Sequence, residues 1–240
     1  EWLATCTRGG AEYLDSLVKN KVNLVYHGLD LERFPENPQS ASNNDGSSAS
    51  QPVKLVTVGR AVAKKGLDTL LHALAKLPAD LHWQWTHIGG GPLRNELIDL
   101  TERLGLSQRC SFLGALPQAE VLQTYRKSDL FILPSRIDES GDRDGLPNVI
   151  VEAQSQSVAV LSTNISGIPE LVDDSVNGVL IEPDDVEALA SAIGLLARDP
   201  RLRNSMGANG NRIVRERFDH TKTIGRLVEL LDGSIKDAKK

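Results

Sequence analysis

Val53-Lys-Leu-Val-Thr-Val-Gly-Arg60 is a short, largely apolar run that ends in glycine, and a helical pattern follows it. Similar apolar runs recur at residues 81–88, 110–113, 130–133, 158–161 and 179–181. The segments between these runs carry apolar residues at helical spacing, as in Leu67, Leu70, Leu71 and Leu74. This alternation predicts an α/β fold, with a Rossmann-like, doubly wound parallel sheet of about six strands and helices on both faces.

The chain is expected to divide into three unequal segments. Residues 53–240 would form the sheet domain and end in helices. Residues 38–52 are rich in Ser, Asn, Gln and Pro, which predicts a flexible, low-complexity loop. Residues 1–37 show a strand-helix-strand pattern that is too small for a core of its own, so we expect them to be the end of a preceding domain.

Composition argues against several partners and cofactors. The formal net charge of −5 offers no general attraction for nucleic acid or for an anionic membrane. No leader and no membrane span are recognisable, so a cytoplasmic location is expected. The histidines lack close acidic, Cys or His partners at ligand spacing, so neither a protein-built metal site nor a cofactor is expected.

Glycines and cations follow the predicted strands at the edge where such sheets bind ligands. Between the first strand and its helix stand Gly59-Arg60 and Lys64-Lys65-Gly66. The planar fork of Arg60, the point charge of Lys65 and the helix dipole can together hold a diphosphate, although a solvated basic loop is the alternative. Residues 89–91, three glycines after the second strand, suit either a turn or a ligand that lies on the backbone.

Residues 144–152, Asp-Gly-Leu-Pro-Asn-Val-Ile-Val-Glu, place two carboxylates around a helix-start signal. Pro147 suits the first turn of a helix, and Gly145 lets the backbone turn tightly. Asp144 would then lie in the loop and Glu152 in the second helical turn. The helix tip can hold an anion while the carboxylates accept hydrogen bonds from sugar hydroxyls. The alternative is a solvated Asp and a surface Glu.

Together these motifs resemble glycosyltransferase family 4, the retaining group with a GT-B fold. The resemblance rests on Gly-Arg at 59–60, Lys-Lys-Gly at 64–66, Gly-Gly-Pro at 90–92, Phe-Leu-Gly at 112–114, Leu-Pro-Ser at 133–135, the 144–152 block and Gly-Ile-Pro-Glu at 167–170. Residues 25–34 also resemble the linker between the two domains of that family. The resemblance implies that residues 1–37 are the end of an N-terminal acceptor domain with its linker, and that residues 53–240 are the donor-binding half.

The resemblance also implies a role for each motif residue. Arg60 and Lys65 would bind the donor diphosphate, and Glu152, the second Glu of the Glu-x7-Glu motif, would bind the nucleotide ribose. Asp144 takes the place of the first Glu, which faces the transferred sugar, and it is one methylene shorter. The nucleotide and sugar would also be bordered by Gly59, Gly89, Gly90, Gly91, Leu113, Gly145, Leu146 and Pro147.

The implied activity is transfer of a glycosyl unit from a nucleoside diphosphate sugar to a hydroxyl acceptor, in bacterial polysaccharide or glycoconjugate synthesis. A sugar or lipid-linked acceptor would bind through the N-terminal domain, so residues 1–240 alone are expected to transfer nothing. A non-catalytic nucleotide-sugar binding module and a GT-B nucleotide-sugar epimerase are the alternatives. Peripheral association of the full-length protein with the inner face of the cell membrane stays open.

Overall fold

The computed structural model describes residues 2–18, 22–36 and 42–238, with side chains described up to residue 232. The strands are β1 (Leu3–Thr5), β2 (Val22–Leu24), β3 (Val53–Val58), β4 (Trp83–Ile88), β5 (Cys110–Phe112), β6 (Leu130–Leu133), β7 (Ala159–Thr163) and β8 (Gly178–Ile181). The helices are α1 (Arg8–Leu17), α2 (Leu67–Ala75), α3 (Arg94–Arg103), α4 (Gln118–Arg126), α5 (Asn148–Ser155), α6 (Val186–Arg198), α7 (Pro200–Arg217) and α8 (His220–Ala238). Two 3₁₀ turns cover Ala63–Lys65 and Ile168–Glu170.

Strands β3 to β8 form one sheet, in which the order is β5-β4-β3-β6-β7-β8 and every pair is parallel. Each of the six apolar runs in the sequence contributes one strand, so the predicted doubly wound parallel sheet is confirmed. The strands β3 and β6 have the bounds expected from the sequence, whereas β4 begins at Trp83 rather than at residue 81.

The sheet is buried on both faces, which explains why its strands read as continuous apolar runs. On one face Val53 and Leu55 pack with residues of α2, α3 and α6. On the opposite face Val56 and Val58 pack with residues of α4, α5 and α7. The predicted helices on both faces are therefore confirmed, and the two apolar layers hold the carboxyl ends of the strands in fixed positions.

The strand order reverses between β3 and β6. From β3 the chain proceeds outward to β4 and β5, and from β6 it proceeds in the other direction to β7 and β8. Parallel sheets of this kind bind ligands in the crevice beyond the carboxyl ends of the strands at such a switch point. The loops that follow β3 and β6 are therefore the expected location of a functional site.

Residues 42–52 of the predicted low-complexity loop make hydrogen bonds to the sheet domain, while residues 38–41 lie outside the described residues. The carbonyl of Gly46 accepts a hydrogen bond from the backbone N–H of His82 at 2.8 Å. The carbonyl of Asn44 accepts another from the buried guanidinium of Arg203. Polar residues cannot bury apolar area, but here their backbone groups supply the contacts instead. This segment is hydrogen bonded to the sheet domain rather than free.

The N-terminal strand-helix-strand pattern forms a separate two-stranded parallel sheet, in which α1 connects β1 to β2. After it, the chain runs along the junction between α7 and α8, where the N–H of Leu29 donates to the carbonyl of Phe218 at 2.6 Å. The first C-terminal helix, α6, is capped by Asp185, whose side chain accepts a hydrogen bond from the N–H of Ala188. Within the described part of the chain, no helix combines the length and apolarity that crossing a membrane requires.

Candidate functional site

The 3₁₀ turn after β3 carries Lys65 to the switch point of the sheet. Gly66 follows in the left-handed region with a φ of 61°. A Cβ atom at Gly66 would lie 2.0 Å from the carbonyl oxygen of Pro134, which follows β6. Glycine is required here because only a residue without a side chain lets the turn pack directly on the β6 loop.

Lys65 and Asp144, two of the predicted site residues, form an ion pair in this place. The Nζ atom of Lys65 lies 2.7 Å from Oδ2 of Asp144, and the two side chains are only 12% and 11% exposed. Lys64 lies 3.8 Å from the same carboxylate and pairs more closely with exposed Asp142, at 3.0 Å. The fold thus joins the loop after β3 to the loop before α5 by a largely desolvated ion pair.

Ser135 holds the Asp144 carboxylate from the other side. Its buried hydroxyl donates to Oδ2 of Asp144 at 2.9 Å. The backbone carbonyl of Ser135 accepts a hydrogen bond from the Thr163 hydroxyl at 2.6 Å, which anchors it to β7. One carboxylate oxygen therefore receives two donors, from Lys65 and from Ser135, and the direction of the carboxylate is determined by both.

Arg136 braces the turn that carries the cations. Its Nε donates to the carbonyl of Ala63 at 2.9 Å, and its backbone N–H donates to the carbonyl of Lys64 at 2.8 Å. Its guanidinium also pairs with Asp68 at 2.9 Å and with Asp184 at 3.0 Å. Burial would lower the pKa of Arg136, but the bonds to the two carboxylates raise it overall. The brace therefore remains charged.

Arg60, the other predicted diphosphate ligand, is exposed. Its side chain makes no ion pair or hydrogen bond with residues 2–18, 22–36 or 42–238. Arg60 follows Gly59, which comes directly after the carboxyl end of β3. Its planar fork is thus available for an anion that binds at this edge of the sheet.

The three glycines after β4 have separate roles. A Cβ atom at Gly89 would lie 1.9 Å from the Gly59 carbonyl oxygen, and one at Gly91 would lie 2.5 Å from the Ala61 carbonyl oxygen. These two glycines let the loops after β3 and β4 approach each other closely. A Cβ atom at Gly90 would meet nothing within 4 Å. Of these three glycines, Gly90 alone has open space at the Cβ position, and Gly91, although packed against Ala61, is exposed and can also border a ligand.

A matched pair of substitutions separates these roles. Gly89→Ala is expected to destabilise the fold by about 3 kcal/mol, because the new methyl group overlaps the Gly59 carbonyl and φ is 148°. Gly90→Ala is expected to change the free energy of unfolding by less than about 0.5 kcal/mol. Urea unfolding of the two variants measures the difference. Equal stability of the two variants would show that the loop contact is not required.

The remaining predicted contacts lie around the same edge. Leu113 is an apolar side chain that is 49% exposed, although its backbone N–H is bonded to the His87 carbonyl at 3.0 Å. Gly145 is exposed, whereas the side chains of Leu146 and Pro147 are buried. Leu146 and Pro147 could therefore offer a ligand only main-chain groups. Pro147 is the N-cap of α5, one residue before the first-turn position expected from the sequence.

Glu152 lies in the second turn of α5, as expected. Its side chain contacts α4, whereas the side chain of Asp144 contacts the turn after β3. Glu152 is half-buried, and its Oε2 accepts a hydrogen bond from the hydroxyl of Tyr125 in α4 at 3.2 Å. Burial raises the pKa of Glu152, and the Tyr125 hydrogen bond partly opposes the rise. The second Glu152 oxygen can accept a hydrogen bond from a ligand hydroxyl.

A cavity of about 410 Å³ separates α1 from the Asp144 loop. One wall includes Thr7 and Tyr13, and the other includes Arg143, Asp144 and Gly167. Asp144 therefore lies between this cavity and Lys65, with which it forms the ion pair. The cavity is large enough to hold a sugar ring, and it connects the N-terminal unit with the predicted donor site.

Three residues in this region were not among the site residues predicted from sequence. They are Ser135, which orients Asp144, Tyr125, which holds Glu152, and Arg136, which braces the cationic turn. The position of Ser135 and Arg136 just after β6 could have identified them, because ligand sites form at such strand ends, and Ser135 also belongs to the Leu-Pro-Ser motif of the resemblance. Nothing local marks Tyr125. In the described ranges, no three His, Cys, Asp or Glu side chains are grouped closely enough to hold a metal ion.

Residues 39–213 match the family described as "Glycosyl transferases group 1". One relative is the GDP-mannose-dependent alpha-(1-6)-phosphatidylinositol monomannoside mannosyltransferase of Mycolicibacterium smegmatis, which is 30% identical over 86% of this chain and 55% of its own length. Another is the putative colanic acid biosynthesis glycosyltransferase WcaL of Salmonella typhimurium, which is 31% identical over 88% of this chain and 51% of its own length. The chain spans about half the length of these curated relatives.

Solved structures share the fold. The sucrose-phosphate synthase of Thermosynechococcus elongatus superposes with a TM-score of 0.82 at 22% identity, over 97% of this chain and 59% of the other. Anabaena HepE, solved in complex with UDP and glucose, superposes with a TM-score of 0.80 at 23% identity, over 95% of this chain and 62% of the other. At this identity the likeness concerns the fold, and it agrees with the expected half of a GT-B architecture.

Proposed function

Because this chain belongs to the glycosyl transferases of group 1, we propose that it is the donor-binding part of an enzyme that moves a sugar from a nucleoside diphosphate sugar to a hydroxyl acceptor. The observation that carries the proposal is the cationic turn at the sheet switch point, where Lys65 and Asp144 meet and where the Arg60 side chain has no partner among the described residues. The retaining stereochemistry of glycosyltransferase family 4 is part of this proposal. So are an N-terminal acceptor domain and a cytoplasmic location that includes peripheral contact with the cell membrane.

Charge neutralisation accounts for the proposed chemistry. The bond between the anomeric carbon and the diphosphate oxygen breaks, the acceptor hydroxyl oxygen forms the new bond to that carbon, and the hydroxyl proton passes to the departing diphosphate. Negative charge grows on the phosphate oxygens as they leave. Lys65 and Arg60 would stabilise that charge, since fixed cations act most strongly in a partly desolvated site. Ser135 and Arg136 would keep Lys65 and Asp144 in place during the step. This chain's residues would require no metal for that stabilisation.

The donor nucleotide would extend from the cationic turn along the loop of residues 89–91 that follows β4, which we call the glycine edge. Gly90 and exposed Leu113 border that edge, and Glu152 would accept hydrogen bonds from the ribose hydroxyls. The names of relatives suggest which donors to test first. GDP-mannose appears in the name of the Mycolicibacterium smegmatis relative, and UDP appears with the Anabaena structure. Relatives named for colanic acid biosynthesis support a role in polysaccharide or glycoconjugate synthesis.

A thermal-shift panel of GDP, UDP, ADP and their sugars tests the donor site. We expect one nucleotide to raise the melting temperature by about 5–10 °C when present at about a hundred times its dissociation constant. Glu152→Gln should raise the dissociation constant of that nucleotide by about tenfold, because a charged hydrogen bond to the ribose is lost.

The matched control for this panel is Glu102→Gln, because Glu102 is an exposed carboxylate on α3. That variant should bind the nucleotide as the wild type does. Failure of every nucleotide to stabilise the wild-type protein would refute the donor site. Binding without sugar transfer by the full-length protein would favour the non-catalytic module instead.

A further inference from the structure

The Gly-Ile-Pro-Glu motif at residues 167–170 has no proposed role in binding the donor nucleotide or in stabilising the departing diphosphate. Its last three residues form the 3₁₀ turn Ile168–Glu170 on the sheet domain. The Glu170 side chain is only 8% exposed, although it carries a charge. A carboxylate in such a place needs hydrogen-bond donors to compensate its desolvation.

The donors to Glu170 come from the N-terminal strand-helix-strand unit and from the segment that follows it. The backbone N–H of Arg8 lies 2.8 Å and 3.1 Å from the two carboxylate oxygens. The hydroxyl of Tyr26 donates to Oε2 at 2.7 Å. Burial and the Glu170 hydrogen bond raise the pKa of Tyr26, so this hydroxyl remains protonated and continues to donate. Glu170 therefore ties α1 and the segment after β2 to the sheet domain.

The charge of Glu170 suits the end of α1 that it contacts. Arg8 is the first residue of α1, and Thr7 caps the helix through the N–H of Gly10 at 3.1 Å. The first N–H groups of a helix have no intrahelical partner and carry partial positive charge. Glu170 satisfies the N–H of Arg8, which Thr7 does not reach. A neutral side chain would satisfy this position less well.

This contact lies beside the cavity that Asp144 faces. The N–H of Gly167 donates to the Gly145 carbonyl at 3.0 Å, which joins the motif to the donor loop. A Cβ atom at Gly167 would lie 2.9 Å from Cγ2 of Thr7 and 2.4 Å from the Gly145 carbonyl oxygen. Residue 167 is thus enclosed between the start of α1 and the donor loop. The width of the cavity depends on how closely α1 is held there.

We propose that Glu170 is a positioning residue, which holds α1 at a fixed distance from Asp144 so that the cavity between them receives the hydroxyl-bearing sugar acceptor. This inference rests on the proposed transferase function. Glu170 is bonded to Arg8 and Tyr26, which belong to the part of the chain where the proposed function places the acceptor domain, so its role concerns the acceptor side of the reaction. Loss of the Glu170 charge would widen the cavity without changing the nucleotide site.

The test uses the full-length protein and separates acceptor kinetics from nucleotide binding. Glu170→Gln is expected to lower kcat/KM for the acceptor by at least about tenfold, in line with the loss of charged hydrogen bonds. The nucleotide-induced thermal shift should stay within about twofold of the wild-type affinity. Tyr26→Phe, which removes a single donor, should lower acceptor kcat/KM by a smaller factor. Glu102→Gln is the matched control and should change neither quantity.

Two results would overturn the positioning role. One is unchanged acceptor kinetics in Glu170→Gln. The other is an equal loss of nucleotide binding and transfer, which would indicate general damage to the fold. A wild-type protein that neither binds a nucleotide nor transfers sugar would refute the proposed function and this inference with it. A wild-type enzyme that works and a Glu170→Gln variant that matches it would refute the inference alone.

Discussion

Lys65→Met is expected to lower the turnover number of the full-length protein by about 10²–10³-fold, the usual loss when one group that stabilises developing charge is removed. Methionine keeps most of the apolar stem of lysine but not its charge. The loss would fall on the step in which the diphosphate departs, because Lys65 stands where we place that group. Steady-state kinetics with saturating donor and acceptor would measure it.

Lys64→Met is the matched control, because Lys64 belongs to the same 3₁₀ turn but pairs mainly with exposed Asp142 at 3.0 Å. Because the Asp142 side chain is 55% exposed, water screens this ion pair and it contributes little, so the control should retain turnover within about threefold of wild type. Equal losses in the two variants would indicate that the turn responds to net charge. Full turnover in Lys65→Met would remove Lys65 from the mechanism.

Arg203→Met is expected to destabilise the protein by about 3–5 kcal/mol. The guanidinium is 2% exposed and donates to the carbonyls of Leu196, Ala197 and Asn44. Two of these bonds satisfy carbonyls in the last turn of α6, and the third attaches residues 42–52 to the sheet domain. Methionine has a similar volume but no donor, so the carbonyls of buried Leu196 and Ala197 would lose this partner. A decrease in melting temperature of about 10 °C or more would be observed.

Arg201→Met is the control for this measurement, since Arg201 lies in the same helix and is exposed. It should shift the free energy of unfolding by less than about 0.5 kcal/mol. Arg203→Lys should recover only part of the lost stability, because an ammonium group cannot reproduce the planar fork of arginine. If Arg203→Met melted with the wild-type protein, residues 42–52 would not depend on this contact.

Much of the fold could be predicted because strands buried on both faces leave a strong local pattern. The run at residues 53–58 forms β3 with the expected bounds, and the other five runs each form a strand. The segment at residues 42–52 could not be predicted in the same way. Its contacts are hydrogen bonds of Asn44 and Gly46 to distant residues, and composition carries no information about such partners.

The candidate site was predicted in part. Glycine and lysine at the end of β3 were recognisable because ligand sites of such sheets occupy strand ends, and the structure places Lys65 there. The pairing of Lys65 with Asp144, which is 79 residues away in the chain, could not be recognised from the sequence. The assignment of Arg60, Lys65, Asp144 and Glu152 to a donor sugar nucleotide stays a prediction until the variants are measured.

Local periodicity and strand-end chemistry were therefore enough to specify a doubly wound sheet and the edge where its ligand would bind. They specify these features because they depend on residues that are close together in the chain. The partners of each side chain depend instead on how separate elements meet. Ser135 reaches Asp144 across 9 residues, Tyr125 reaches Glu152 across 27, and Glu170 receives the N–H of Arg8 across 162. Only the packing of helices and loops on the finished sheet brings these groups within hydrogen-bond distance.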